Sequence, residues 1–394
     1  MPINLKKKAI NIKNLKNILF SILVIIFITY IIKFPNESAV IVTDALKLCY
    51  TVIIPVIFPF LIFSRLLIRS SLFKFAGHVL NKPAGFLFGI SGLYTNAFLI
   101  GSLLGFPMGA KTVRDIYLSD KSNKNQAERT LAFCNNCSIS FVISVAGMAV
   151  FKSVTIGFIL FFIQVISAVI TGVIVRFMFP QPHSRKVENG KLKVESEKFS
   201  IFNLTEIISE SVNGILNICG IVLFFFILIN ITAGYFKIFG LFDAQYIKTA
   251  VSGIFEVSSG MYSLVNFKLN IYCKLMLSSA ILGWSGISVH FQIKYILKDT
   301  DLSLKPYFTG KVFHVIISVL ITVLTFKFLP AEKIYAAVSS YNYYPADYFY
   351  DADNLKAYMN YLEVQGIVTA AVVFSILITA LIFYLREKYK KCKM

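Results

Sequence analysis

The residues of this chain that could do chemistry stand inside apolar runs. Asn135 and Asn136 lie in the stretch from Phe133 to Met148, where two adjacent amides cannot both face lipid. At least one must meet an interior partner, and both interhelical hydrogen bonding and solute recognition suit it. Gly105-Phe106-Pro107-Met108-Gly109-Ala110-Lys111 combines glycines that permit tight turns with a proline that stops a continuous helix. The helix that follows would aim free amides at an anion, with Lys111 as a cation at the same mouth. A loop carrying one more basic residue is the plainer alternative. Glu256, followed by Val257-Ser258-Ser259-Gly260, is an ionisable group in an apolar stretch, the kind that binds a coupling proton or cation. Its plainer alternative is solvation at a hairpin tip. Ser288 and Gln292 share a helical face by i, i+4 spacing. His290 lies about 200 degrees round from Ser288, so the cluster converges only if the turn near Gly283 and Gly286 unwinds.

Other chemistries find little support. Cys134 and Cys137 have C-x-x-C spacing, but i, i+3 positions in an apolar helix suit packing better than a metal or a redox pair. Six scattered cysteines indicate neither a disulfide framework nor a four-ligand zinc site. No metal or cofactor is implied. With no G-x-S-x-G, H-E-x-x-H, Walker loop or paired-carboxylate constellation, the expectation is a protein that is not an enzyme. The net charge of +19 does not indicate nucleic acid, because the basic residues cluster between apolar runs instead of forming a stripe.

The elements that must position these groups are membrane-spanning. A content of 57% hydrophobic residues with 38 Phe and a mean hydropathy of +0.72 exceeds what an aqueous surface tolerates. Runs near the ~20 residues needed to cross a bilayer fall at 15–33, 41–68, 153–178, 211–234, 308–329 and 364–385. Helices 130–151 and 272–297 are also long enough but hold the polar clusters at mid-depth. The stretches 85–109 and 242–265 are interrupted, the first by glycines and Pro107, the second by Gly253, Glu256, Ser258, Ser259 and Gly260. Basic residues place 1–17, 69–82, 111–129, 180–202, 294–311 and 386–394 in the cytoplasm. Those sides close only if both interrupted stretches are re-entrant hairpins.

The expected fold is therefore an all-α polytopic membrane protein of about eight transmembrane helices and two re-entrant hairpins, in two inverted-topology repeats. Residues 1–35 form a signal-anchor helix, 36–179 the first repeat, 180–204 a cytoplasmic linker and 205–330 the second repeat. An acidic, Tyr-rich external loop, 331–363, precedes a C-terminal helix and basic tail, 364–394, with both termini cytoplasmic. A short echo pairs Asn136-Cys137-Ser138-Ile139-Ser140 with Trp284-Ser285-Gly286-Ile287-Ser288.

Over roughly residues 40–330 the chain resembles the YlbJ-type sporulation integral membrane proteins, which contain nucleoside-recognition gate domains. The resemblance rests on Phe58-Pro59-Phe60, the Gly105 to Lys111 motif, and Ala127-Glu128-Arg129 leading to Phe133-Cys134-Asn135-Asn136. In the second half it rests on Glu256 to Gly260 and on Gly286-Ile287-Ser288-Val289-His290-Phe291-Gln292. It implies a transporter in endospore formation that moves dipicolinic acid, a small planar dianion, out of the mother cell across the outer forespore membrane. A nucleoside or other solute, or a non-transporting scaffold for spore assembly, are the alternatives. In this reading Asn135, Asn136, Ser258, Ser259, Ser288, His290 and Gln292 bind substrate, with Lys111 and the Gly105, Pro107 and Gly109 backbone as anion contacts. Glu256 and His290 couple a proton or cation, or order the second hairpin. Partners are membrane lipid, the anionic solute and the coupling ion, with self-association or sporulation proteins left open. The chain departs from the family after the double Asn, where Cys137-Ser138-Ile139 replace a small residue, Gly and Pro. Loss of that proline predicts a straighter helix.

Overall fold

A computed structural model of the chain describes residues 12–69, 80, 82–119, 124–180, 201–238, 244–265, 267 and 269–329. The basic residues before 12, linker residues 181–200, the Tyr-rich loop 331–363 and the C-terminal helix and tail 364–394 lie outside the described residues. Among those described, every regular element is helical.

Helix α1 (Ile12–Lys33) precedes α2 (Pro35–Leu48), with a bend of 104° around Phe34; Pro35 sits at the start of α2, where a missing amide donor costs nothing. A π-helical turn, Cys49–Ile53, joins α2 to α3 (Ile54–Arg69). Helices α4 (Lys82–Phe88) and α5 (Gly92–Leu104) are bent by 89°. Helices α5 and α6 (Met108–Ser119) pack on each other as a hairpin with its tip at residues 105–107. After α7 (Lys124–Leu131) the chain leaves helical geometry over residues 132–138. It resumes as α8 (Ile139–Phe141), a π-helical stretch Val142–Val150, and α9 (Val154–Met178).

The second half runs in the same order. Helix α10 (Ile201–Ile238) leads to a hairpin of α11 (Ala244–Phe255) and α12 (Val257–Val265) with Glu256 at its tip. Helix α13 (Ile271–Trp284) is broken at residues 285–286 from α14 (Ile287–Ile296), and α15 (Lys305–Phe328) follows.

Three expectations are corrected here. The stretches 130–151 and 272–297 are not single helices, because each breaks at its polar cluster. Ser285 and Gly286 take positive φ values of 76° and 83°, a region that ends a helix. Absence of the family's proline does not straighten the first break. Ser138 is extended, and its Oγ accepts from the Phe141 amide at 3.2 Å, which starts a new helix without help from proline. The first hairpin is also displaced along the chain: its second arm is α6, so it reaches Ser119 instead of ending at residue 109.

Three helices are long and apolar enough to cross a membrane: α9, α10 over Leu204–Phe236, and α15. Each bent pair counted as one span makes five among the described residues. Polarity is arranged inside out. On α15, Lys311, His314, Ser318 and Thr322 are buried while Ile316, Leu320, Val323 and Leu324 are exposed. On α9, Gln164, Ser167 and Thr171 are buried while Phe162, Ile166 and Ile170 are exposed. Water would drive the opposite arrangement; a hydrocarbon solvent favours this one.

Helices α9 and α15 pack against each other and run antiparallel. Arg129 of α7 donates to the carbonyls of Arg176 (2.9 Å) and Phe179 (2.7 Å) at the end of α9. Its neighbour Glu128 accepts from the Ser303 amide at 2.8 Å, just before α15 begins. The end of α9 and the start of α15 are thereby fixed at one end of the bundle. Two apolar clusters fill the interior. Phe133 and Cys134 belong to one and Cys137 and Ile139 to the other, so the first break lies where the clusters meet.

Candidate functional site

Each hairpin tip rests on the break of the helix that follows it. A Cβ on Gly105 (φ 79°) would stand 2.8 Å from the Ser138 amide nitrogen. One on Gly286 (φ 83°) would stand 2.9 Å from the Phe255 carbonyl oxygen and 3.0 Å from Glu256 Cα. Only glycine combines that backbone angle with so close an approach. Both hairpins are closed by glycine pairs across the tip. A Cβ on Gly101 would be 3.1 Å from Gly109 Cα, and one on Gly260 would be 2.7 Å from Gly253 Cα.

Tips and breaks, with Ile57 of α3 and Ile218, Ile221 and Val222 of α10, line a half-open cavity of about 70 Å³. Its polar lining comes from Gly105 and Ser138 in the first half and Glu256, Ser258, Ser288 and Gln292 in the second; Phe106, Cys137 and Val257 contribute apolar walls. Ser288 Oγ is buried without a hydrogen-bond partner among the described residues. Ser288 and Gln292 do share a face, and it is the face turned to the cavity.

The remaining predicted residues are distributed differently. Asn135 Oδ1 accepts from the Ala110 amide at 2.8 Å, and its Nδ2 donates to the Leu131 carbonyl at 3.2 Å. It is the side chain that caps α6. Asn136 Nδ2 donates to the Phe133 carbonyl at 3.0 Å and to Ser102 Oγ at 3.4 Å, while its Oδ1 is buried and unpartnered among the described residues. Glu256 accepts from the amides of Ser258 (2.9 Å) and Ser259 (2.6 Å), so the carboxylate caps α12 while also facing the cavity. Ser259 Oγ is buried without a partner among the described residues.

Three placements differ from expectation. Lys111 is exposed, because the buried face of α6 is Gly109, Ala110, Val113, Ile116 and Tyr117 and position 111 turns outward. The amides that start α6 are largely engaged: Met108 N with the Gly105 carbonyl, Ala110 N with Asn135, Lys111 N with the Pro107 carbonyl. An open amide cradle for an anion is therefore not formed at Gly105, Pro107 and Gly109. His290 does not line the cavity. Its Nδ1 is 2.6 Å from the Tyr307 hydroxyl, and its ring stands edge-on to Trp284 and Phe308 at 4.4 and 5.3 Å.

The cation of this region is Lys311, whose position in the chain places it among the basic residues of 294–311 expected in the cytoplasm. It is 1% exposed, and its Nζ donates to the Asn135 carbonyl at 2.5 Å and to Ser285 Oγ at 2.8 Å. One partner lies in each break. The Phe106 ring centroid is 5.4 Å from Nζ. His314, one turn further on, is equally buried, and neither ring nitrogen has a hydrogen-bond partner among the described residues. The available signal was the spacing Lys311, His314, Ser318, Thr322, one polar stripe on an apolar helix. A lysine near a helix end also fits a topology rule, which masks that stripe.

An all-helical bundle that turns apolar side chains outward, buries a lysine and breaks its helices around a polar centre is an integral membrane protein. The chain is similar to the sporulation integral membrane protein YlbJ of Bacillus subtilis (strain 168), being 22% identical over 345 residues that cover 80% of this chain and 84% of that protein. The similarity supports the YlbJ-type family that the motifs resemble. No protein-family model matches the chain, and no solved structure matches it.

Proposed function

We propose that the chain is a transporter of endospore formation that moves dipicolinic acid from the mother cell across the outer forespore membrane. The cavity where tips and breaks from both halves converge carries this reading, since unwound backbone and half-helix ends at a repeat interface are where transporters hold solutes. The printed name of the similar Bacillus subtilis protein supports the sporulation setting.

In this reading the protein has eight spans and two re-entrant hairpins, with gate repeats 36–179 and 205–330 inverted about the centre and both termini cytoplasmic. Matched glycine pairs, matched tip-on-break contacts and antiparallel α9 and α15 support the inversion. Ser258, Ser288 and Gln292 would meet the carboxylate edges and ring nitrogen of the solute, and Glu256 would hold the coupling proton or cation. At about 70 Å³ the cavity has room for a few waters, so a ring with two carboxylates enters only when the hairpins swing aside. That movement is the alternating step.

The test is uptake of labelled dipicolinate into vesicles carrying the purified protein, beside Ser288→Ala and Gln292→Ala variants at equal abundance. Saturable uptake that falls about tenfold or more in the variants, the effect of removing a buried hydrogen-bonding group, is expected. Absence of uptake under every imposed ion gradient overturns the proposal.

A further inference from the structure

The ammonium of Lys311 is held by one group from each half of the molecule: a backbone carbonyl of the first break, Asn135, and the hydroxyl of the second, Ser285. No carboxylate among the described residues pairs with it. Glu256, the carboxylate nearest in function, spends both oxygens on α12 amides. A buried charge with only neutral partners is under-compensated, and an anion placed beside it would offset that cost. Its third N–H direction is not taken by any described hydrogen bond.

Access is short. Phe106 lies under Nζ and is also a wall of the cavity; Cys137, two residues beyond Asn135, and Ser288, three beyond Ser285, are walls as well. Displacement of one aromatic ring would open the ammonium to a solute in the cavity. The same act that pairs a carboxylate with Lys311 would weaken its bonds to Asn135 and Ser285, and so loosen the two breaks from each other.

We propose that Lys311 is a resident cation that clasps the two breaks together when the cavity is empty and transfers its ammonium to the carboxylate of an entering anion, releasing the clasp. This deepens the transport reading and rests on it for the identity of the anion. The clasp itself is a property of the empty protein. Hydrogen bonds are exchanged, with no proton or electron lost.

Cys137 reports the clasp, because it is buried, lines the cavity, and its thiol faces the Leu282 carbonyl of the other half at 3.7 Å. The experiment is the rate of Cys137 alkylation in the full-length purified protein, read by peptide mass spectrometry, with and without dipicolinate, while equilibrium dialysis measures dipicolinate bound. Lys311→Met should raise the ligand-free rate about tenfold or more and Ser285→Ala by less, since the first loses charge-assisted bonds and the second only one of them. Dipicolinate should accelerate wild-type labelling and leave Lys311→Met unchanged. Lys111→Met, altered at an exposed position, should behave as wild type.

Ligand-free rates equal to wild type in both Lys311→Met and Ser285→Ala overturn the clasp; Ser285→Ala keeps the question decidable if the lysine variant does not fold. Dipicolinate that binds without changing the wild-type rate also overturns it. If wild type binds no dipicolinate, the transport reading of the substrate fails, and the ligand-free comparison still decides the clasp.

Discussion

Asn135 acts through two atoms with separate consequences. Its side-chain oxygen caps the Ala110 amide of α6, and its backbone oxygen receives the Lys311 ammonium. Only the first depends on residue type. Asn135→Ala leaves a buried amide unpaired and should lower stability by about 1–3 kcal/mol, whereas Asn135→Asp keeps an acceptor at a helix start that favours negative charge. Thermal unfolding of the two variants in detergent checks this. Equal melting temperatures would mean that the cap contributes nothing and that the amide is reserved for solute. At this scale the sequence points to amides and hydroxyls that the fold buries, Asn135, Asn136, Ser258 and Ser288, but it does not separate the buried cation from the exposed one. An intramembrane Asn stands out in an apolar run, while Lys111 and Lys311 look alike until packing turns one out and the other in.

At the scale of elements, the α6–α7 corner is stapled to the loop before α15. Tyr117 donates to Asp301 Oδ1 at 2.6 Å, Lys124 Nζ donates to Asp301 Oδ2 at 2.8 Å, and Arg114 approaches Asp299 at 3.4 Å. Lys124 first and Tyr117 second hold the Asp301 carboxyl down to about 2. A carboxyl with a folded value below its unfolded one stabilises the fold above the ordinary carboxylate range and loses that contribution as pH falls. The staple should therefore be fully present above about pH 4 and lost between about 4 and 2. Asp301→Asn should flatten the fall in melting temperature across that window; an unchanged profile would show that the exposed pair adds nothing, as surface pairs often do. Long apolar runs make α9, α10 and α15 legible in the sequence, and Lys124 and Asp301, from two stretches the sequence places on one side, meet at one end. The break at 285–286 falls at the turn near Gly283 and Gly286 that the sequence marks for unwinding, whereas the break at 132–138 is hidden because Asn135 is satisfied at the distant Ala110. Local propensity carries no trace of such contacts.

At the scale of the whole molecule, the two halves repeat an order of hairpin, broken helix and unbroken helix, and the unbroken helices meet antiparallel at the centre. The sequence suggests such an order through interruptions in hydropathy and a short echo of five residues. Ile139 and Ile287, the fourth residues of that echo, are both the first residues of a resumed helix. An inverted arrangement makes a demand that a parallel one does not. The end of α9 and the start of α15 must share one side of the membrane, and the end of α15 must lie on the other. Met178 and Leu329 are about half exposed and Asp299 is exposed, so each accepts a single cysteine in a chain with Cys273 and Cys392 replaced by Ser. A membrane-impermeant thiol reagent added to intact cells should miss cysteines at 178 and 299 and label 329; added to inside-out vesicles it should label the first two and miss the third. Labelling of 178 and 329 from the same side would remove the inverted repeat, because antiparallel neighbours that each span once cannot end together.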